Sequence, residues 1–171
     1  LKNNSKISLT ITGNGHTLTI PAKSAKDALL QKLTLNVTTL NIAKGANVQL
    51  PYLTGVAQVN NYGTVELVKE STTPNFYNEG TITITGRDTD GNNVKESAVN
   101  TIVNWGVVNS TATGSIKNLV NQYTGKANFN GGTTAVTKIS NDFYDNSTAE
   151  YKRGEITIAS GATLKVTEGS N

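Results

Sequence analysis

Several residue types that usually build functional sites are rare or missing from this sequence. The 171 residues include no cysteine, no methionine, three prolines and one histidine, His16. The lack of cysteine excludes disulfide frameworks, thiolate metal sites and cysteine nucleophiles, and a single histidine excludes sites built from several. No apolar run reaches 18 residues, so no membrane-spanning helix is predicted, and no signal-peptide pattern is present.

Charge is also sparse. Only 16% of the residues are charged, and 15 basic against 12 acidic residues leave a net charge of +3. The basic residues are scattered, and the densest cluster, Tyr151-Lys152-Arg153, is too short to follow a phosphate backbone. Nucleic acid is therefore not expected as a partner.

Threonine and asparagine are abundant instead. The chain has 26 Thr and 22 Asn, so these two short polar types together outnumber the 27 charged residues. A coiled coil or helical bundle would need Ala, Leu, Glu and Lys in their place. The composition thus favours an all-β chain.

A repeat runs along most of the sequence. Its basic form is an apolar residue, any residue, Asn, any residue and Gly, followed by a segment of alternating apolar and polar residues, as in Phe76-Tyr77-Asn78-Glu79-Gly80-Thr81-Ile82. Copies lie at 59–67, 76–84 and 102–108, with looser ones at 119–129 and from 139, where the glycine is missing, and variant forms at 11–20, 42–50 and 158–166. The unit is about 18 residues long and occurs about eight times, provided that 21–32 and 87–97 are insertions.

Each unit predicts a strand, a corner made by Asn and Gly, and a second strand. Glycine would supply the positive φ of the corner, and units this short must stack to bury their apolar faces. Stacking predicts an inner column made by Leu18, Val48, Val65, Ile82, Val108, Ala127 and Leu164. It also predicts a ladder of amide side chains made by Asn61, Asn78, Asn104, Asn121 and Asn141.

The predicted fold is therefore a single domain, 1–171, formed by a single-stranded right-handed parallel β-helix of about eight coils. A left-handed form is the alternative, since a period near 18 also suits it, but the apolar positions do not recur every six residues. The units Asn78-Glu79-Gly80-Thr81-Ile82 and Ser160-Gly161-Ala162-Thr163-Leu164 resemble the repeats of filamentous-haemagglutinin-like bacterial adhesins with pectate-lyase-like β-helices. The resemblance implies a secreted or cell-surface bacterial protein that acts in adhesion, of which this chain is expected to be a fragment.

The same fold also carries polysaccharide-degrading enzymes, so catalysis is the alternative function, either as a lyase or hydrolase or as its carbohydrate-binding part. Asp88 and Asp90, with Glu96, could form a calcium loop, but the glycine comes fourth from Asp88 and not sixth, and Asp90-Gly91 equally favours a hairpin turn. His16 is interpreted as a turn residue. We predict no catalytic residue, no cofactor and no enzymatic activity.

One set of aromatic residues remains as a candidate binding surface. The position before the corner glycine carries Tyr62 and Trp105, and Tyr123 follows after two extra residues. Rings on successive coils could stack on sugars, although half-buried packing over the corners is the alternative. The sequence therefore predicts an adhesion module whose partners are glycans or surface proteins.

Overall fold

The structure is a computed structural model, which describes residues 8–11, 17–18, 33–34, 38–50, 53–54, 56–67, 74–85, 97–111 and 113–168. Within these ranges all regular structure is β-strand. In this described part of the chain, two large sheets contain only parallel pairings, and the single antiparallel pair is a hairpin near the C-terminal end. The prediction of an all-β chain built on parallel sheets is confirmed.

We call the eight-stranded sheet sheet A and the seven-stranded sheet sheet B. In order across the sheet, sheet A contains β1 Ser8–Ile11, β4 Thr39–Ile42, β7 Gln58–Asn61, β9 Asn75–Asn78, β11 Ser97–Asn104, β13 Gly114–Asn121, β15 Thr133–Ser140 and β19 Thr163–Val166. Sheet B contains β2 Thr17–Leu18, β5 Asn47–Leu50, β8 Thr64–Leu67, β10 Thr81–Ile84, β12 Val107–Ser110, β14 Lys126–Phe129 and β18 Glu155–Ile158. Two short pairs complete the set, β3 Leu33–Thr34 with β6 Leu53–Thr54 and β16 Asp142–Asp145 with β17 Glu150–Arg153.

The chain alternates between the two sheets. From β4 to β14 each strand of sheet A is followed by one of sheet B, except that the short β6 comes between β5 and β7, and each step adds a strand beside the previous one in both sheets. We call one strand of each sheet, with the corner that joins them, a rung. This order is compatible with a β-solenoid, because stacked rungs produce parallel sheets with neighbours one rung apart.

The core consists of apolar columns in which each rung contributes one residue. In sheet A the column is Leu40, Val59, Phe76, Ile102, Leu119 and Ile139, and every member is buried. In sheet B it is Val48, Val65, Ile82, Val108, Ala127 and Ile156. Burial of each aliphatic side chain contributes about 1.5–3 kcal/mol, so these columns are the main source of stability.

The predicted end of the sheet B column is wrong. Ile156, not Leu164, lies opposite Ala127, whereas Leu164 lies opposite Thr134 in sheet A. In the last unit, 158–166, the strand that the sequence predicts for sheet B is therefore β19 of sheet A.

The corner glycines are also used differently from the prediction. Gly45 and Gly161 have φ of +82° and +81°, as expected, but Gly80 has no positive φ. A β-carbon at Gly80 would instead overlap the carbonyl oxygen of Gly63 in the preceding rung, and Gly106 meets Gly80 in the same way. At these corners glycine is required by the close approach of backbones, and not by an unusual φ.

Candidate functional site

Five asparagines form a continuous chain of side-chain hydrogen bonds along one corner of the fold. Each Nδ2 donates to the Oδ1 of the asparagine in the next rung, over 2.7 Å from Asn61 to Asn78 and 2.8 Å from Asn78 to Asn104, from Asn104 to Asn121 and from Asn121 to Asn141. These are the residues for which the sequence predicts a ladder.

The ladder also satisfies backbone groups at the corners. Asn78, which is fully buried, donates from Nδ2 to the carbonyl oxygens of Gly80 at 3.2 Å and Val107 at 3.0 Å. Asn61 accepts from the Gly63 N–H at 3.1 Å. A buried polar network of this kind stabilises a structure only when its members are bonded, and the continuous chain meets that condition.

The unit that contains Asn141 also has a corner glycine, which is Gly154. The Nδ2 of Asn141 donates to the Gly154 carbonyl oxygen at 3.0 Å, which matches the 3.2 Å bond from Asn121 to Gly125. After Gly154 the chain enters sheet B through β18. The prediction that this unit lacks its glycine is therefore wrong, because residues 142–153 form an insertion that separates the two members of the corner.

This insertion is the β16–β17 hairpin, whose inner face packs on the corner of the preceding rung. Phe143 lies 5.9 Å from the ring centre of Tyr123, and the Lys152 Nζ lies 5.2 Å from the same ring centre. Lys152 also forms an ion pair of 2.6 Å with Asp145. A cation over an aromatic face is attracted by the ring quadrupole, so these contacts fix the hairpin against Tyr123.

Asp145 is the electrostatic centre of the hairpin. Its Oδ2 accepts from Lys152, and its Oδ1 accepts from the Ser147 Oγ at 2.6 Å and the Ser147 N–H at 2.9 Å. These bonds, that from Lys152 above all, hold the pKa of Asp145 well below its usual range. In turn, the bond to Asp145 raises the pKa of Lys152. Both groups are therefore charged at neutral pH.

The outer face of the hairpin carries a second pair of rings. Tyr144 and Tyr151 are directly opposite each other across the strands and meet edge to face, with ring centres 5.1 Å apart. Tyr151 is 72% exposed and Tyr144 is 46% exposed. Beside them the Arg153 Nε donates to the Asp142 Oδ1 at 2.7 Å. We call these four residues the outer hairpin face.

The three predicted aromatic residues lie at the corners but do not form one stack. Tyr62 and Tyr123 are exposed, at 46% and 47%, whereas Trp105 is half-buried. Trp105 stacks on Tyr77, with ring centres 6.4 Å apart and planes 20° apart, and Tyr123 contacts Phe143. The partner of Trp105 is thus an outward strand residue of the preceding unit, and the partner of Tyr123 lies in the insertion.

A groove lies on the outer face of sheet A. It has a volume of about 430 Å³ and is lined by Thr101, Asn118, Leu119, Val120, Lys138 and Ser140. The outward column that contains Val120 runs through Tyr77, Val103 and Ser140 in neighbouring rungs. Tyr77 therefore stands beyond one end of the groove, and β16 begins two residues after Ser140 at the other end.

The remaining candidate residues lie outside the described ranges. These are His16, the weak calcium candidates Asp88, Asp90 and Glu96, and nearly all of the predicted insertions 21–32 and 87–97. Within the described ranges, no three His, Cys, Asp or Glu residues are grouped so that they could hold a metal ion. The same ranges contain no helix that is long and apolar enough to cross a membrane.

The chain matches no family model, no curated protein and no solved structure.

Proposed function

We propose that this chain is a non-enzymatic adhesion module of a secreted or cell-surface bacterial protein, in which a right-handed parallel β-helix of about eight coils presents a glycan-binding groove. The fold proposal is supported by the eight strands of sheet A and by the alternation between sheets. Parallel crossovers are overwhelmingly right-handed.

The groove on sheet A is the observation that carries the proposed function. Its lining combines hydroxyl groups, an amide and an ammonium group with the aliphatic Val120. Concave surfaces of this mixed kind bind ligands that have both polar groups and apolar faces, and sugars have both. Tyr77, stacked on Trp105, lies further along the same column and adds an exposed ring for such an apolar face.

The extent of the surface suits a linear ligand. Tyr77 and Ser140 are three rungs apart in one outward column, which at the usual spacing of strands corresponds to roughly 14 Å. Because successive rungs are connected by backbone hydrogen bonds and the Asn ladder, the groups are held at fixed intervals. A rigid array loses little conformational entropy on binding.

Binding is preferred over catalysis because of the groove lining. Glycoside hydrolysis needs a pair of carboxylates across the scissile bond, and the six lining residues include no Asp or Glu. The polysaccharide-degrading alternative would require such a pair on the groove.

A glycan array probed with the 171-residue chain tests the proposal, with Asn118→Ala as the groove variant. The matched control is Asn128→Ala, because both side chains point outward and donate to the preceding rung, at 3.2 Å to Thr101 and at 3.0 Å to Asn109. Asn118→Ala should weaken retention about fivefold, since a lost hydrogen bond is worth about 1 kcal/mol. Asn128→Ala should leave it unchanged.

Lys138→Gln and Lys117→Gln give a second matched pair, because Lys138 lines the groove and Lys117, also on sheet A, does not. If no glycan is retained by the unmodified chain, the proposed function is wrong. If glycans are retained equally by both members of each pair, the binding site is not the groove.

A further inference from the structure

The outer hairpin face carries the paired rings of Tyr144 and Tyr151 on an exposed surface that belongs to neither the core nor the groove. Asp142, Tyr144, Tyr151 and Arg153 alternate with residues that pack inward, so the β16–β17 hairpin separates an anchored side from a free side. We propose that this face is a homotypic contact surface, which pairs with the same face of a second copy of the chain.

The strand pairing of the hairpin determines which residues of this face lie opposite each other. Asp142 is directly opposite Arg153, and Tyr144 is directly opposite Tyr151. A two-fold axis parallel to the strands and midway between them places β16 of one copy over β17 of the other. Asp142 of each copy then faces Arg153 of the other, and Tyr144 faces Tyr151. The face is therefore complementary to itself, as an isologous interface requires.

The charges on this face favour a second copy over other occupants. Asp142 and Arg153 are oppositely charged, so the face carries no net charge, and two like faces meet without repulsion. Arg153 uses its Nε in the ion pair, and its side chain remains 72% exposed. A guanidinium group presents five donors in a planar fork, so the other nitrogen atoms can bind the carboxylate of the second copy.

The tyrosines supply the apolar part of the contact. Tyr and Arg are the residue types that dominate binding energy at protein interfaces. Tyr151 is exposed over most of its surface, and its ring is already held edge to face by Tyr144. Four rings would meet at the centre of the paired hairpins, with the ion pairs at their base.

The hairpin is prepared for such a contact. Its inner face is fixed by the Phe143–Tyr123 contact and by Lys152 over the Tyr123 ring, and its turn is closed by Asp145 and Ser147. A surface that is ordered before binding loses less entropy when it binds. The loss is small here because both strands are already positioned.

The contact is weak for a single pair of chains. Four-residue strands bury much less than the roughly 1,600 Å² of a standard interface, so a stable dimer at low concentration is not expected. When many copies are displayed on one surface, the same contact gains from multivalency. The inference is independent of the glycan groove, which lies on sheet A.

Sedimentation equilibrium of the 171-residue chain, up to about 1 mM, the range of weak contacts, tests the proposal. The unmodified chain should dimerise reversibly. D142R gives the face two positive charges and R153D gives it two negative charges, so each variant alone should be monomeric. An equimolar mixture should regain the affinity of the unmodified chain, because both cross-copy contacts are again attractive.

The mixture controls for folding, because two unfolded variants could not restore a specific contact. Tyr151→Ser should abolish dimerisation, whereas Tyr62→Ser, at an exposed tyrosine of another rung, should not, and this pair decides the matter if the charge variants fail to fold. A chain that is monomeric throughout, a mixture that stays monomeric, or equal effects of the two tyrosine variants would each overturn the proposal. Binding of a glycan or of another protein by this face without dimerisation would do the same.

Discussion

The side chains of Asn78 and Asn104 are joined by a 2.8 Å hydrogen bond although 26 positions separate them in the sequence. The neighbouring ladder bonds span 17 positions on one side and 17 on the other. The ladder therefore keeps its geometry while the chain between its members changes in length. The corner, rather than the number of residues per rung, determines how rungs stack.

Removal of one ladder amide should destabilise the fold strongly. Asn104→Ala removes the ladder donor of the buried Asn121 Oδ1, and it removes one acceptor of Asn78 Nδ2, which keeps the carbonyl oxygens of Gly80 and Val107. An orphaned buried acceptor costs about 1–3 kcal/mol and a further lost hydrogen bond about 1 kcal/mol, so the free energy of unfolding should fall by about 3 kcal/mol. Chemical denaturation measures this, and Asn128→Ala, at a partly exposed amide, should cost less than about 1 kcal/mol. Equal losses would show that the ladder has no special role.

Two corner glycines should respond to alanine for different reasons. At Gly80 a β-carbon would overlap the Gly63 carbonyl oxygen, so backbones of adjacent rungs must separate and Gly80→Ala should cost about 3 kcal/mol or more. Gly45 has open space but a φ of +82°, so Gly45→Ala should cost only about 1 kcal/mol. Gly45→Asn should recover part of that loss, because Asn tolerates positive φ, whereas Gly80→Asn should not. Denaturation curves of the four variants check the order.

The attachment of the hairpin should depend on pH through Asp145 and Lys152. Because the pKa of Asp145 is lowered by folding, its contribution is present above the unfolded value of about 3.9 and is lost as pH falls below it towards the folded value. Because the pKa of Lys152 is raised, its contribution is present below about 10.4 and is lost as pH rises through the folded value.

Hydrogen exchange of the β16–β17 amides, compared with those of β10, measures this dependence. Protection of the hairpin should decrease at acidic pH after correction for the intrinsic exchange rate, while protection of β10 stays constant. Asp145→Asn should remove the acidic transition. An acidic transition of equal size in that variant would assign it to another carboxylate.

Much of the fold can be predicted from the sequence, because most of the apolar and asparagine positions of the repeat are buried in the structure. The buried Phe76 and Asn78 alternate with the outward Tyr77, because successive side chains of a strand point to opposite faces of the sheet. The five ladder asparagines are recognisable because each follows an apolar column residue by two positions. Parallel pairing of the strands is also predictable, because units this short cannot bury their apolar faces alone and must stack on one another.

The last rung could not be aligned correctly, since residues 142–153 separate Asn141 from Gly154. A signal was nevertheless present. Gly154-Glu155-Ile156-Thr157-Ile158 has the same alternation as Gly80-Thr81-Ile82-Thr83-Ile84, and opposite charges at 142 and 153 and at 145 and 152 are typical of the two strands of a hairpin.

The site was less predictable than the fold. Trp105 and Tyr123 are visible in the repeat, but their partners Tyr77 and Phe143 belong to a strand and to an insertion. The groove is lined by residues of three strands, β11, β13 and β15, and its outward members are unremarkable in each repeat taken alone. Contacts of this kind depend on how side chains are rotated at the corners, and the alternation of apolar and polar residues does not predict that rotation.

The insertion at Asn141 has a consequence for how such a chain can change. Between the ladder asparagine and its glycine the corner holds one residue at Trp105, three at 122–124 and twelve at 142–153. In each case the amide still donates to a backbone carbonyl oxygen at the corner, that of Lys126 from Asn104, of Gly125 from Asn121 and of Gly154 from Asn141. The two ends of the inserted segment stay fixed whatever the length and sequence of the segment between them. This position is therefore a grafting point, at which a foreign loop can replace the hairpin while the rungs keep their register.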